Sequence, residues 1–279
     1  MPAAAPGWER TVHCLGDLHA GSITDARLNA VIRDAERLGT PALHLQIGDV
    51  TESGTEAEDR IALRFLERLP GRWIAALGNH DVLHNARTAA AWARAYGQES
   101  QNLSVDLDFA RLILIGPNRS EPGRRAGRLS RATLAFLDRE LADGPEHCWI
   151  ACHWPLFRTV MGDPRIHFTS AMEAFHAKPD DRIRELLADH RNAKVWLSGH
   201  THSPLSAPGL IKRTRLARRR TIWAINTSGL IGTGKRRNPR ALASLYLTRR
   251  RDRIEVRCRD HRAGAWRNIR GRPVTELST

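Results

Sequence analysis

The sequence predicts an α/β protein, a layered αββα sandwich built from two mixed β-sheets, and three features of the chain predict it. Short apolar runs alternate with amphipathic helical patterns through the first two thirds. Several of those runs end at a polar cluster, most of them through a glycine, which is where the strands of an open α/β sheet carry ligands. Beyond residue 220 the helical patterns stop and strand-like runs follow one another directly, which points to antiparallel pairing.

Taken in order, residues 11–15, 42–47 and 73–77 are short, apolar and stopped by Gly, as buried strands are. Between the first two, residues 24–38 place Leu28, Val31, Ile32, Ala35 and Leu38 on one helical face. The next helix opens with Thr55-Glu56-Ala57-Glu58, a capping-box pattern, and aligns Ile61, Phe65 and Leu69. Strands and helices in this rhythm form βαβ units. A third helix is expected over 86–96, adjacent strands over 103–109 and 111–115, and a capped helix over 130–141. Strands at 147–152 and 194–197 flank a helix near 181–190, and alternating strands at 221–226, 242–248 and 253–257 complete the chain. Residues 1–10 read as a disordered lead and 11–279 as one domain, with a basic portion from about 203 whose stretch 203–220 is the candidate hinge.

With 41% hydrophobic and 27% charged residues the composition is that of a soluble globular protein. No apolar stretch approaches a membrane span, and the first ten residues lack the apolar core of a secretory signal, so a cytoplasmic protein without membrane partners is expected. Cys14, Cys148, Cys152 and Cys258 form no C-x-x-C pair and read as free thiols. The net charge of +14 is uneven: residues 1–202 hold 24 Lys+Arg against 26 Asp+Glu, and residues 203–279 hold 20 against 4. Such a tail offers itself to nucleic acid or an anionic substrate. Arg outnumbers Lys 40 to 4, however, as in a GC-rich genome, and few aromatics (Trp223, Tyr246, Trp266) interleave with the arginines, so a solvated surface is the plainer reading.

Five of the expected strands lead into polar clusters: Gly16-Asp17-Leu18-His19, Gly48-Asp49, Gly78-Asn79-His80-Asp81, His153-Trp154-Pro155 and Gly199-His200-Thr201-His202. All would converge at the carboxyl edge of the sheets. Carboxylates and neutral imidazoles bind borderline divalent metals, and this many at one place imply more than one ion. Without a metal so many buried polar groups would be expensive to desolvate. A decoy lies in Gly229-Leu230-Ile231-Gly232-Thr233-Gly234-Lys235, which looks like a phosphate loop. Arg236 stands where a Ser/Thr is required and Arg237-Asn238-Pro239 breaks any helix, so it is rejected as a nucleotide loop.

Gly-Asp-x-His, Gly-Asp, Gly-Asn-His-Asp, a His before x-Pro and Gly-His-x-His stand in the order seen in calcineurin-like metallophosphoesterases, and the chain resembles that family from about residue 11 to 203. The resemblance implies a dinuclear site in which Asp17, His19 and His202 bind one metal, Asn79, His153 and His200 the other, and Asp49 bridges them. It implies two divalent or mixed-valence ions, Mn²⁺ first, with Fe or Zn as alternatives. Ions about 3.5–4 Å apart activate a shared water against phosphorus. His80 would contact the phosphate or protonate the leaving oxygen, with Asp81 orienting its ring. His13, His44, His147 and His190 read as core or surface histidines, whereas His84 and His167 lie in loops that could border the site.

Within the family the run Gly48-Asp49-Val50-Thr51-Glu52-Ser53-Gly54, the length and Asn226-Thr227-Ser228 resemble the bacterial cyclic-nucleotide phosphodiesterase branch. Cys152 stands where many of its members carry a second His, and its side chain is expected to point away from the metals. The substrate expected is a small phosphate ester, foremost a phosphodiester such as a cyclic nucleotide. A phosphomonoesterase acting on a nucleotide, sugar phosphate or biosynthetic intermediate is the alternative, and a nuclease or nucleic-acid binder using the basic tail the third. The long stretch 154–178 is expected to form a lid in which Arg158, Arg165 and His167 touch substrate and Phe168 offers an aromatic face. Composition leaves the oligomeric state open.

Overall fold

The computed structural model describes residues 7–83, 87–117, 127–162, 165, 167–235, 237–238, 242–269, 271–272 and 274–278. Two mixed sheets lie face to face with helices outside them. Among the described residues the first sheet has seven strands. Across its width run Ala265–Arg267, Arg253–Asp260, Ala243–Arg249, Thr11–Gly16, Leu43–Ile47 and Trp73–Ala76, and Thr275–Ser278 also pairs with Arg253–Asp260. Its N-terminal members are parallel, joined through helices Asp25–Leu38 and Glu56–Leu66, while the C-terminal strands add antiparallel. The second sheet runs Ile211–Arg215, Thr221–Asn226, Ala193–Ser198, Cys148–Ala151, Ala110–Leu114 and Leu103–Leu107, parallel in the middle and antiparallel at both edges.

Strand alternation divides the core. Val12, Cys14, Leu45 and Ile47 meet Leu112, Trp149, Leu197 and Ile225 between the sheets. Leu15, Val31, Ile32, Phe65 and Trp92 fill the layer under the first sheet's helices. Ile150 and Trp196 pack on Leu137, Ile183 and Leu187 of helices Arg131–Ala142 and Asp180–Asp189. Strands buried on both faces read as continuous apolar runs, which is why their positions were legible. The expected capping box forms, with Thr55 accepting from the Glu58 amide and Glu58 reaching back. No helix among the described residues is long and apolar enough to cross a membrane, and all four cysteines are free and buried.

Four expectations change. Residues 7–10, assigned to a disordered lead, form a 3-10 turn whose Trp8 is buried edge-on against Tyr246. The third helix begins at Ala89, capped by Thr88, after a separate turn of helix at His80–Leu83. The candidate hinge contains a strand, Ile211–Arg215, antiparallel to Thr221–Asn226, and the latter pairs in parallel with Ala193–Ser198. Ala265–Arg267 and Thr275–Ser278 were not foreseen as strands. Short, charge-bearing edge strands resemble loops in sequence.

The register that sets His13 beside His44 and Tyr246 also builds a buried polar chain on the helix-facing side of the first sheet. His44 Nδ1 meets His13 Nδ1 at 2.8 Å, and Ser244 Oγ stands 2.7 Å from both His13 Nε2 and His261 Nε2. The chain ends on Asp34 of helix Asp25–Leu38, 2.9 Å from His261 Nδ1, which also takes two bonds from Arg259 at 2.6 and 2.8 Å. Burial works against a charge on Asp34, but Arg259 and His261 hold its carboxyl down to about 2 from an ordinary 3.8. Breaking a buried pair from one side costs about 3–5 kcal/mol. Asp34→Ala should therefore lower unfolding stability by about that amount in urea titrations near neutral pH. A carboxyl depressed in the fold stabilises it above the unfolded pKa, so the gap between wild type and variant should close as pH falls from 3.8 towards 2.

Candidate metal centre

Five loops leave the carboxyl ends of strands from both sheets and deliver the site. Strand Thr11–Gly16 carries Asp17 and His19, Leu43–Ile47 carries Asp49, Trp73–Ala76 carries Asn79 and His80, Cys148–Ala151 carries His153, and Ala193–Ser198 carries His200 and His202. The backbone is strained there: Asp17, His19, Asp49, His200 and His202 have φ of 39, 49, 46, 69 and 49°. Such conformations persist where the surroundings over-determine them, and they cluster at functional sites. Two glycines are required by close approach. A Cβ at Gly48, itself at φ 71°, would enter the His153 ring, and one at Gly78 would collide with the backbone and carboxylate of Asp49.

Among the described residues the ligand atoms fall into three groups, two of which share Asp49: Asp17, His19, Asp49 and His202 form one, Asp49, His153 and His200 the other, and His19, Glu52 and His80 a third beside them. His153 Nδ1 donates to the Ile47 carbonyl at 2.9 Å, which turns Nε2 inward, 3.2 Å from Asp49 Oδ2. His200 Nε2 donates to the Ala174 carbonyl at 3.2 Å, so its Nδ1 faces His153 Nε2 at 3.2 Å. His19 Nδ1 pairs with Glu52 Oε2 at 2.9 Å, and its Nε2 faces His202 Nε2 at 3.3 Å and Asp49 Oδ2 at 3.6 Å. Carbonyl and carboxylate partners on the far ring nitrogen are how metal-binding histidines are oriented.

The donor set fits a pair of cations. In each of the two groups that share Asp49, two imidazole nitrogens meet at 3.2 or 3.3 Å beside the shared carboxylate. Asp17 Oδ2 and Asn79 Oδ1 are buried with no hydrogen-bond partner among the described residues. Burial pushes the Asp17 carboxyl up to about 7, against the pull of His153, and pushes His200 down to about 3. Burial also opposes a charge on His153, but Asp49 beside it raises that ring to about 9.

His80 donates its amide to Asp49 Oδ1 at 2.9 Å, and its Nδ1 donates to the Glu52 carbonyl at 2.7 Å, so Nε2 is turned away from that contact. Asp81 does not orient this ring. Its oxygens accept from the Thr51 amide and hydroxyl at 2.9 and 2.8 Å and from the Gly78 amide at 2.8 Å, which locks two of the five loops together. Behind the Gly-His-x-His turn, Asn226 accepts from Thr201 Oγ1 at 2.9 Å and donates to the Gly199 carbonyl at 2.6 Å. Cys152 is buried in the helix-side core of the second sheet, away from the ligand groups.

A cleft of about 470 Å³ opens over these residues, lined further by Glu52, Phe168, Phe175, Lys235 and Arg237. The basic and imidazole side chains expected from the lid are not among its lining. Arg158 lies over the Phe157 ring and is exposed, Arg165 is exposed, and His167 is buried with Nδ1 bonded to the Phe168 carbonyl. His84 lies outside the described residues. Two residues of the rejected phosphate-loop region or its flank reach the cleft instead. Lys235 stands on its rim, and Arg237 grips Glu52 with both terminal nitrogens at 2.8 and 3.1 Å. Burial opposes the charge of Glu52, but His19 and Arg237 hold its carboxyl well below the usual range. The one signal for Glu52 was its place three residues after Asp49.

The description of a calcineurin-like phosphoesterase fits residues 10–204 of this sequence. A probable cyclic nucleotide phosphodiesterase of Synechococcus sp. is 26% identical over 194 residues, covering 68% of this chain and 70% of that protein. A probable glycerophosphodiester phosphodiesterase, GpdQ, of Arcobacter nitrofigilis is 25% identical over 124 residues, covering 44% of this chain and 45% of its own. Among solved structures, a predicted phosphoesterase of Streptococcus pneumoniae TIGR4 is 12% identical with a TM-score of 0.44, covering 97% of this chain and 98% of that one. With a family match over more than half its length and a metal-ready cluster at the strand ends, the chain belongs to the calcineurin-like phosphoesterases, metal-dependent hydrolases of phosphate esters.

Proposed function

We propose that the chain hydrolyses a small phosphodiester, such as a cyclic nucleotide, using two metal ions held on either side of Asp49, Mn²⁺ first and Fe or Zn as alternatives. The observation that carries this reading is the convergence of imidazole nitrogens, 3.2 and 3.3 Å apart, in two groups that share one buried carboxylate. Asp17, His19 and His202 are assigned to one ion and Asn79, His153 and His200 to the other. When bound, such a pair lowers the pKa of water towards neutrality and clamps phosphoryl oxygens for in-line displacement.

The remaining steps belong to side chains. With Nδ1 given to the Glu52 carbonyl, a protonated His80 presents Nε2–H to a phosphoryl oxygen or to the departing alkoxide. Asp81 keeps that loop in place through Thr51 and Gly78. Glu52, braced by Arg237, fixes the ring of His19. A diester is favoured because both curated relatives are named as phosphodiesterases.

The reading is tested by screening cyclic AMP, bis-p-nitrophenyl phosphate, p-nitrophenyl phosphate and mononucleotides with added Mn²⁺. Diesters should be turned over best, chelation should abolish turnover and Mn²⁺ should restore it. Preference for the monoesters would make the protein a phosphomonoesterase, and equal turnover by Asp49→Ala would expose a contaminant. His80→Ala should lower kcat by about 10²–10⁴-fold while Mn²⁺ still binds. Glu52→Gln should weaken Mn²⁺ affinity in calorimetric titration by about 10–100-fold, with Arg237→Met moving it in the same direction.

A further inference from the structure

The cleft contains a column of flat groups for which phosphoryl chemistry has no use. His200 lies against Phe175 with ring centroids 4.7 Å apart and planes 29° from parallel. Phe175 lies against Phe168 at 4.3 Å and 12°. Lys235 Nζ stands 5.5 Å from the Phe168 centroid. All four residues line the same cleft, and every other side chain that lines it is polar or charged. Phe175 is buried, Phe168 half-buried and Lys235 exposed, so the column starts at a metal group and ends at solvent. Packing against His200 requires Phe175 alone. A second ring, parallel to the first and reaching towards solvent, has a different use.

An aromatic face attracts two kinds of substrate group, a flat ring or a cation. Charge decides between them here. The Phe168 face already has Lys235 near it, so an ammonium-bearing alcohol would have to displace a positive side chain from that face. An uncharged flat ring meets no such opposition. Base stacking on one aromatic side chain raises affinity about 5- to 150-fold. An exposed cation–π contact is worth about 2- to 5-fold, so a base can displace the lysine.

Resting on the phosphodiester reading, we propose that Phe168 determines specificity by stacking a nucleobase or aryl ring of the substrate, while Lys235 leaves the ring to meet the phosphate charge. The test measures binding without turnover. AMP, glycerol 3-phosphate and phosphocholine are titrated calorimetrically into Mn²⁺-loaded wild type, Phe168→Ala and Phe168→Tyr. The ratio of AMP affinity to glycerol 3-phosphate affinity should fall at least fivefold in Phe168→Ala and stay within twofold of wild type in Phe168→Tyr. Phe168→Leu replaces the alanine variant if thermal unfolding shows that Phe168→Ala has lost its fold. A smaller fall on removing the ring, or an equal fall with tyrosine, overturns the proposal. So does a wild-type preference for phosphocholine over AMP that the alanine variant loses. Turnover of diesters by wild type is scored separately: its absence removes the phosphodiesterase reading, whereas the binding ratios decide the stacking.

Discussion

Asp49 is a buried carboxylate placed within 3.6 Å of two imidazole nitrogens from different sheets, and it also receives the His80 amide. Burial opposes its charge, yet His153 and His80 hold the carboxyl far below its usual range. Around that anion the protein brings together donors that would otherwise repel one another. Each ring is committed by a partner on its outer nitrogen, Ile47 for His153, Ala174 for His200 and Glu52 for His19. The inner ring nitrogens are therefore aimed at one region by the protein itself.

That arrangement places five residues in strained, left-handed backbone across three turns, and the structure shows what restrains them. A non-glycine residue in the left-handed region costs of order 1–3 kcal/mol. The opposing contributions come from buried bonds that tie one loop to the next. Asp81 joins the Thr51 and Gly78 turns, Asp17 accepts from the His200 amide at 2.9 Å, and Asn226 holds the turn between His200 and His202. Asp81 is thus best understood as a loop fastener. Burial raises it to about 6, which the three donors around it offset only in part.

The layered fold and the residues that cluster at its strand ends were readable in the sequence because both rest on local pattern. Strands buried on two faces leave apolar runs, and four of the five site turns leave a Gly followed by Asp, Asn or His. The cleft wall was not readable, because it is assembled from segments without pattern. Arg158 and His167 sit in the right loop, but Arg158 lies over Phe157 and His167 is buried on its own backbone. Glu52 and Arg237 are 185 residues apart and meet only because the residues after Asn226 return over the Gly-Asp turn. The motif at 229–235 fails as a nucleotide loop for the reasons visible in sequence, yet its last residue still lines the cleft. A residue's chemistry could be guessed from its type; its reach required the fold.

The excess of arginine in the last quarter of the chain has a structural account of the same kind. Arg259 anchors helix Asp25–Leu38 through Asp34, Arg249 meets the buried His147, and Arg250, Arg253 and Arg267 pair with Glu255, Glu276 and Asp260. These strands close the first sheet by pairing Ala243–Arg249 with Thr11–Gly16, the strand that delivers Asp17 and His19. The basic region therefore supports the metal groups from behind, and through Arg237 and Lys235 it reaches the cleft in front of them. Of that pair, Arg237 is neutralised by Glu52 and acts on the ring of His19. Lys235 stays exposed beside an aromatic face. A cation held over a flat ring rather than locked in an ion pair can move when an anionic, ring-bearing ligand enters, which is why the parts proposed for Arg237 and Lys235 differ.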